Sequence, residues 1–284
     1  MTIKAFHQQT STALLTIYSS AEAGLIAAEL LEQIAGIDKK QLILMPEHIL
    51  PASSLSLLNE AVADLLVHRP LQYITGHAWF YSNLLKVNEA VLIPRPETEE
   101  LVEIIVRHIK SSGMASPVLL DIGTGSGCIP IALKKECPSA IIEAIDISED
   151  ALKVARENAL TTSTEIKFQQ IDFLEERQWL LLQKYNIIVS NPPYIPLAEK
   201  SSLEKNVTAY EPATALFVPN EQPLLFYEKI AGFAQTHLHH GGFIFMELHE
   251  QFAKQTAALF LEKYNKVEIL TDISGKERFL QVSY

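Results

Sequence analysis

The chain has 284 residues, 48% hydrophobic and 20% charged, a composition typical of folded globular domains and unlike that of a disordered chain. The formal net charge of -11 argues against binding to nucleic acid through a basic face, and it suits a partner with a basic surface or a small cationic ligand. Two cysteines are too few for a disulfide framework or a zinc cluster, so a reduced, cytoplasmic compartment is expected. The sequence has neither a signal peptide nor the run of roughly 20 apolar residues that spans a bilayer, so no membrane association is expected.

The first 75 residues have the pattern of a small helical bundle. Apolar residues recur at three- and four-residue spacing through "TALLTIYSSAEAGLIAAELLEQIAGI", which predicts a helix that stops at Gly36. The stretch "SSLSLLNEAVADLLVHRP" predicts a second helix that starts with serine caps and ends at Pro70. No catalytic constellation lies here, so we expect residues 1–75 to hold a partner.

Residues 76–96 change in character and predict a β-hairpin linker. The stretch "HAWFYSNLLKVNEAVLIP" is rich in aromatic and β-branched residues, with turn signals at Ser82-Asn83 and Asn88-Glu89. A helix is expected to begin near Glu97 or Thr98, with acidic residues in its first turn, where the helix dipole favours them.

Residues 97–284 predict an α/β domain, because strands and helices alternate from residue 117 onward. The expected strands are "VLLDI", "IIEAIDI", "IKFQQID", "NIIVSN", "GFIFMEL", "KVEILTD" and "RFLQVSY". Such alternation is typical of a mostly parallel sheet covered on both faces. The loop "ISGKE" before the last strand is too short for a parallel crossover, so that strand is expected to run antiparallel.

A glycine-rich loop follows the first of these strands, in "VLLDIGTGSGCIPIAL". Gly123, Gly125 and Gly127 alternate with Thr124 and Ser126, and the helix after them offers free N–H groups to a ligand. The spacing differs from the dinucleotide motif G-x-G-x-x-G, and the Lys-Ser/Thr pair of a P-loop is missing. Asp121, just before the loop, disfavours a pyrophosphate but suits a cation or an amine. S-adenosylmethionine, with its sulfonium and α-amino groups, is the cofactor that this pattern indicates.

Acidic residues close the next two strands as well. Asp146 can accept the hydroxyls of a ribose, as in other nucleotide folds. At Asp172 a carboxylate or backbone amide can bind the adenine amino group, and the Phe173 ring can lie against the base. The alternative is that Asp121, Asp146 and Asp172 are only helix caps. Their succession behind a glycine loop favours the cofactor.

The segment "NPPY" ends the fourth strand, at the edge where ligands bind in open α/β sheets. Pro192 and Pro193 stiffen the backbone and remove two N–H donors, so the Asn191 side-chain oxygen and the Pro192 carbonyl are left as acceptors. Two acceptors suit a planar –NH2 group whose nitrogen is to be methylated, and Tyr194 can lie on the face of that group. The alternative is a stiff turn after a strand.

These residues resemble those of class I S-adenosylmethionine-dependent amino methyltransferases, which have a Rossmann-like, seven-stranded, mostly parallel sheet. The motifs "DIGTGSG", "AIDIS" and "NPPY" carry that resemblance. With "PLQYITG", "LIPRPETEELVE", "YEPATALF" and "DISGKERF", the sequence from about Pro70 to the end resembles the peptide chain release factor glutamine methyltransferase (PrmC or HemK) family.

The resemblance implies methyl transfer to the N5 nitrogen of the Gln in the Gly-Gly-Gln motif of release factors, with S-adenosylhomocysteine as the product. By motif, the cofactor would be bound by Gly123, Thr124, Gly125, Ser126, Gly127, Asp146, Asp172, Phe173 and Asn191. The substrate amide would be held by Asn191, Pro192, Pro193 and Tyr194, of which Asn191, Pro192 and Tyr194 are the expected catalytic residues. A monomer without direct nucleic-acid contact is expected.

Two other functions share parts of this pattern. A nucleic-acid N-methyltransferase acting on adenine or guanine amino groups uses the same kind of corner, but the acidic charge argues against it. A cofactor-binding fold kept as a scaffold is the non-enzymatic alternative, against which the intact Asn191 argues.

Several conspicuous residues are not assigned to the chemistry. No metal site is expected at "HLHHGG", where we expect histidines at a helix C-terminus and two glycines that stop the helix. Cys128 is expected to be a packing residue. "MELHEQ", at 246–251, departs from the family pattern and follows the fifth strand, so we expect it to lie outside the chemistry. Arg95 and Glu97 suit a linker turn and the border of the active site equally.

Overall fold

A computed structural model describes all residues from Met1 to Tyr284. Its α-helices are α1 (Ile3–Leu14), α2 (Ser20–Ala35), α3 (Lys39–Leu44), α4 (Ala52–Leu66), α5 (Leu71–Thr75), α6 (Pro96–Ser112), α7 (Cys128–Glu136), α8 (Glu149–Thr161), α9 (Lys205–Tyr210), α10 (Ala213–Leu216), α11 (Leu225–His237) and α12 (Ala253–Leu261). Its strands are β1 (His77–Phe80), β2 (Asn83–Lys86), β3 (Val118–Ile122), β4 (Ile141–Asp146), β5 (Lys167–Gln170), β6 (Tyr185–Ser190), β7 (Ile195–Pro196), β8 (Phe217–Val218), β9 (Leu238–Glu247), β10 (Lys266–Thr271) and β11 (Glu277–Ser283). None of the helices combines the length and apolar character that crossing a bilayer requires.

The chain divides into two units. The first contains Met1–His77 and Glu204–Tyr210, and the second contains Ala78–Leu203 and Glu211–Tyr284. The hairpin strands from Ala78 onward therefore group with the second unit, and α9 groups with the first.

The first unit consists of short helices around a core that includes Phe6, Leu30 and Leu58. The expected single helix up to Gly36 is wrong, because α1 ends at Leu14 and α2 starts afresh at Ser20. Ser19 causes the break: its side chain accepts from the Glu22 N–H, and the Glu22 carboxylate accepts from the Ser19 N–H, which forms a capping box.

One predicted helix end in this unit is confirmed, and one predicted helix start is wrong. Gly36 ends α2 in a left-handed conformation, with φ of 68°, as expected. The expected serine caps of α4 are wrong, because the helix starts after Pro51, and Ser53 and Ser54 lie inside its first turn.

The β1–β2 hairpin confirms the expected strand pair but shifts its turn by one residue. Tyr81 and Ser82 occupy the turn, with positive φ of 47° and 62°, whereas Asn83 already belongs to β2. The Asn83 side chain donates to the carbonyl oxygens of Phe80 and Tyr81, which stabilises the turn from within. The following helix, α6, starts at Pro96, one residue before the earlier of the two expected positions.

The seven predicted strands form one sheet in the order β10-β11-β9-β6-β3-β4-β5. Its core pairs are parallel, and β11 is antiparallel to both of its neighbours, as the short loop predicted. The mostly parallel α/β fold is thus confirmed.

Both faces of this sheet are buried, which explains the nearly continuous apolar runs of its strands. On β6, Ile187 and Val189 join a core beneath α6 and α7, whereas Ile188 joins the core beneath α11 and α12.

The "HLHHGG" segment is a bulge in β9, so the expected glycine stop of a helix is wrong. Helix α11 ends at His237, and β9 begins at the next residue. The pairing then jumps from Leu238 to Phe243, opposite Tyr185 and Ile187 of β6. A Cβ at Gly242 would lie 2.9 Å from the Asn186 carbonyl oxygen, so the close approach of β6 requires glycine there.

Candidate active site

A cavity of about 360 Å³ opens at the carboxyl ends of β3, β4, β5 and β6, within the second unit. Its position follows from the topology: the chain proceeds outward from β3 through β4 and β5, then returns to the other side of β3 as β6. Ile122 and Ser190, which pair across β3 and β6, therefore mark the topological switch point, where open α/β sheets bind their ligands.

The cavity is lined by most of the residues expected to form the site. These are Gly123, Gly125, Asp146, Asp172, Phe173, Asn191, Pro192 and Pro193. Thr124, Ser126, Gly127 and Tyr194 do not line it. Thr124, Ser126 and Tyr194 each lie next in sequence to a residue that does, and Gly127 lies two positions after Gly125. Thr124 and Ser126 are buried, so the roles expected for these four residues would be indirect.

The glycine loop presents bare backbone to the cavity. Gly123 and Gly125 have positive φ of 76° and 54°, and a Cβ added to either would meet no atom within 4 Å. Gly127 differs, because a Cβ there would lie 3.1 Å from the Ala155 Cβ. The first two glycines thus leave space for a ligand, and the third allows α7 and α8 to pack closely.

Asp121 is fully buried, and no donor meets hydrogen-bond geometry with either of its carboxylate oxygens, although the Thr124 hydroxyl lies near enough to lower the pKa of Asp121. Burial raises the pKa of Asp121 to about 7, and the nearby Asp146 carboxylate adds to this rise. Asp121 does not line the cavity, but it directly precedes Ile122 and Gly123, which do. Because a buried carboxylate without a well-placed donor is costly to the fold, a donor from a ligand bound at the glycine loop is the partner that best explains it.

Asp146 holds the glycine loop in place. One carboxylate oxygen accepts from the Gly125 N–H at 2.9 Å, and the other accepts from the Ser148 N–H at 2.9 Å. Burial raises the pKa of Asp146, and these backbone hydrogen bonds oppose the rise. Each oxygen retains a second lone pair, so the carboxylate can also accept from a ligand.

Asp172 and Phe173 form the wall beyond β5. The Asp172 N–H donates to the Gln178 side chain, so the backbone amide that was considered for adenine is already engaged. Its carboxylate accepts from the Leu174 N–H through Oδ1 and still lines the cavity. The Phe173 ring packs against Trp179 and Phe233, with centroids 5.5 Å and 5.3 Å away, which fixes its position.

Asn191 follows β6, and its side chain is oriented by a hydrogen bond to Thr98. Its Nδ2 donates to the Thr98 hydroxyl at 3.1 Å, and the Thr98 hydroxyl donates to Glu247 at 2.8 Å. The Tyr194 hydroxyl donates to the other oxygen of Glu247 at 2.9 Å. The expectation that "MELHEQ" lies outside the chemistry stays a prediction, but Glu247 of this segment contacts the "NPPY" segment directly through Tyr194.

A second wall of the cavity was not identified from the sequence. It comprises Ala90–Leu92 from the segment after the hairpin, and Pro212, Thr214, Ala215 and Phe217–Pro219 from the segment around α10 and β8. The short strands β7 and β8 pair in parallel, which joins this wall to the segment that follows Tyr194.

The Arg95 guanidinium links the two segments of that wall. It donates to Glu211 at 2.5 Å, and the other Glu211 oxygen accepts from the Ile93 N–H at 3.1 Å. The Glu211 side chain is only 2% exposed. The "RPETE" and "YEPATALF" motifs thus contact each other through one ion pair. Because they lie more than 100 residues apart, the sequence alone does not indicate this contact.

The residues not assigned to the chemistry occupy structural positions. The His237 ring stacks on Phe233, 4.1 Å between centroids, and the structure holds no cluster of three or more His, Cys, Asp or Glu arranged to bind a metal. Cys128 is buried, and burial raises the pKa of its thiol to about 12.

The chain is similar in sequence to known proteins along its whole length. The PrmC N-terminal domain family matches residues 8–76, and the methyltransferase small domain family matches residues 98–209. The chain is 39% identical over 287 residues to the release factor glutamine methyltransferase of Flavobacterium psychrophilum, with 100% of both chains covered. The chain belongs to the release factor glutamine methyltransferase family. The family member from Bacteroides thetaiotaomicron is 37% identical, with 93% of this chain and 94% of that protein covered.

Solved structures outside the release factor glutamine methyltransferase family share the fold. The hMettl16 catalytic domain, in complex with an RNA hairpin, matches with a TM-score of 0.54 at 17% identity, covering 72% of this chain and 76% of that one. The Thermus thermophilus 16S rRNA N2 G1207 methyltransferase, in complex with AdoMet and guanosine, matches with a TM-score of 0.52 at 15% identity, covering 73% of this chain and 49% of that one. At such identities the likeness concerns the fold alone.

Proposed function

We propose that this chain transfers a methyl group from S-adenosylmethionine to the N5 amide nitrogen of the Gln in the Gly-Gly-Gln motif of peptide chain release factors. The observation that carries the proposal is a single cavity with an open glycine loop on one side and an acceptor-rich Asn-Pro-Pro corner on the other, in a member of this family.

The residues around the cavity fit S-adenosylmethionine. The Asp121 carboxylate, directly before the cavity-lining Ile122 and Gly123, suits the positive charge and the N–H donors of the methionine part, whereas it would repel a pyrophosphate. Gly123 and Gly125 leave room against the backbone, Asp146 would accept from the ribose, and Asp172 and Phe173 would hold the adenine. When bound, the cofactor supplies a methyl group activated by a sulfonium sulfur.

The protein's own contribution is to hold the glutamine amide. Its nitrogen is a poor nucleophile because its lone pair is delocalised into the carbonyl group. The Asn191 Oδ1 and the Pro192 carbonyl would accept both N–H groups, and these hydrogen bonds strengthen as the nitrogen becomes pyramidal, which favours the transition state over the ground state. Positioning of this kind contributes up to about 7–11 kcal/mol in well-oriented systems.

The corner can act without a strong general base. Once the nitrogen carries its fourth substituent it is strongly acidic, so it loses a proton to water readily. Pro192 and Pro193 have no N–H, so the backbone offers no donor there that would compete for the lone pair of the attacking nitrogen.

Mass analysis of a release factor after incubation with enzyme and cofactor tests the proposal. We expect one added methyl group, located on the Gln of the Gly-Gly-Gln motif. Asn191→Ala should abolish turnover and keep most of the cofactor affinity, and the exposed Asn265 offers a matched control, Asn265→Ala. DNA and RNA are assayed in parallel, and methylation of either in preference to the release factor would favour a nucleic-acid methyltransferase instead.

We further propose that the first unit, together with the acidic surface of the protein, contacts the release factor. Four large apolar side chains are exposed within one short stretch of this unit, Ile43, Leu44, Met45 and Ile49. Ile43→Ser should weaken methylation of the intact factor more than that of a short Gln peptide. Ile273→Ser, at an exposed isoleucine of the second unit, is the matched control. Equal losses with both substrates would contradict this role. A cytoplasmic location and a monomeric state stay predictions.

A further inference from the structure

A buried chain of hydrogen bonds runs from Asn191 away from the cavity. It passes from the Asn191 Nδ2 to the Thr98 hydroxyl and from there to Glu247, whose other oxygen accepts from the Tyr194 hydroxyl. Thr98 and Glu247 are each 2% exposed, so water does not compete for these bonds. The chain joins the first turn of α6, the segment after β6 and the end of β9.

With Glu247 ionised, the direction of every bond in this network follows from the number of protons available. An ionised carboxylate only accepts, so Glu247 takes the single hydroxyl proton of Thr98. The Thr98 oxygen can then only accept from Asn191, which requires that Asn191 present its –NH2 group. The Asn191 Oδ1 is consequently the end that is left for the cavity. A neutral group in place of Glu247 removes this constraint, because the Thr98 hydroxyl could then donate to Asn191 instead.

The charges around Glu247 act on the same carboxyl. Burial raises its pKa, whereas the hydrogen bonds from Thr98 and Tyr194 and the positive charge of Arg278 lower it. The negative charge of Glu97 raises the pKa of Glu247 by a smaller amount. Arg278 is in turn held by Asp272, at 3.5 Å. The net effect is a pKa above the ordinary value, with burial as the largest cause. The two hydrogen bonds that Glu247 accepts and the nearby positive charge of Arg278 are the contacts that suit its ionised form.

We propose that Thr98 and Glu247 are positioning residues that turn the side-chain oxygen of Asn191 toward the substrate amide. The inference rests on the proposed function and adds two residues that do not touch the reacting atoms. An Asn191 side chain turned the other way would present its –NH2 group to the substrate –NH2, so neither hydrogen of the glutamine amide would find the Asn191 acceptor.

Thr98→Val tests this orientation with little change in shape. It removes the acceptor for Asn191, and we expect kcat to fall by about 10- to 100-fold, the range for a misplaced catalytic contact. The KM for the release factor and the Kd for S-adenosylmethionine should stay within about twofold of wild type, which also demonstrates that the variant is folded. Thr98→Ser keeps the hydroxyl and should recover most of kcat.

Thr256→Val is the matched control, because Thr256 is a fully buried threonine of the same unit whose hydroxyl has no partner. It should leave kcat unchanged. Glu247→Gln should lower kcat as Thr98→Val does. Glu143→Gln is its control, since Glu143 is a buried carboxylate whose side-chain donors include Tyr185 and Lys167 and do not include Thr98, Asn191 or Tyr194.

A second readout does not depend on turnover. In the ¹⁵N–¹H spectrum the Asn191 side-chain –NH2 signal, assigned by its loss in Asn191→Ala, should shift and exchange faster with water in Thr98→Val, but not in Thr256→Val. The inference is overturned if Thr98→Val keeps the wild-type kcat, if Thr256→Val loses as much, or if this signal is unchanged. A wild-type enzyme that does not methylate release factors would instead refute the proposed function, and the spectrum would still decide the role of Thr98.

Discussion

Alanine at Gly123 and at Gly127 should separate cofactor binding from helix packing within one loop. Both residues have left-handed backbone conformations, with φ of 76° and 79°, so alanine costs each position about 1–2 kcal/mol of folding free energy. At Gly127 the added methyl would also lie 3.1 Å from the Ala155 Cβ and 3.3 Å from its Cα. Crowding of this kind adds about 1–3 kcal/mol.

The affinity for the cofactor should change in the opposite order, with the larger loss at Gly123. The methyl group of Gly123→Ala meets no protein atom within 4 Å and enters the cavity, so we expect the Kd for S-adenosylmethionine to rise about tenfold or more. Gly127 does not line the cavity, so Gly127→Ala should bind the cofactor nearly as well as wild type at temperatures where it is folded.

Urea denaturation followed by tryptophan fluorescence, with titration calorimetry for the cofactor, measures both quantities. Gly127→Ala should be the less stable variant and Gly123→Ala the weaker binder. Equal losses of affinity in the two variants, or a Gly123→Ala protein less stable than Gly127→Ala, would refute the division of roles between these glycines.

Three further predictions follow from single contacts. Arg95→Ala should lower the free energy of unfolding by about 1–3 kcal/mol because it leaves the Glu211 carboxylate buried without its cation, and adding Glu211→Gln should restore part of the loss in urea denaturation. Folding raises the pKa of Asp121 from 3.8 to about 7, so the stability from its bound proton is present below pH 3.8 and is lost as the pH rises to about 7, at about 1.4 kcal/mol per pH unit. The free energy of unfolding of Asp121→Asn should therefore rise relative to that of wild type over this pH interval. If the difference between the two proteins does not change with pH, the raised pKa is contradicted. Ser19→Ala should cost about 1 kcal/mol by removing the cap of α2, whereas Ser53→Ala, inside the first turn of α4, should be nearly neutral in the same thermal melts.

Much of the second unit could be predicted from sequence because its signals are local. Each of the seven strands is a short apolar run bounded by turn residues, and the short loop before β11 was enough to give its direction. The glycine loop and Asn191 were found for the same reason, since each directly follows a strand whose carboxyl end lies at the switch point.

The rest depended on contacts between residues far apart in sequence. Thr98 meets Glu247 across 149 positions, and Arg95 meets Glu211 across 116. Nothing in the local pattern of either pair indicates its partner. The break between α1 and α2 is a different case: the capping box at Ser19 was present in the sequence, but the apolar periodicity on both sides of it hid the boundary.

The position of β11 affects how the protein can fold during synthesis. This strand follows β10 in the chain but lies between β10 and β9 in the sheet. A nascent chain made only as far as Lys276 has six of the seven strands, yet β10 has no neighbour to pair with and one edge of β9 is bare. The sheet can therefore be completed only after residues 277–283 have emerged from the ribosome, and until then an exposed strand edge is open to pairing with other chains.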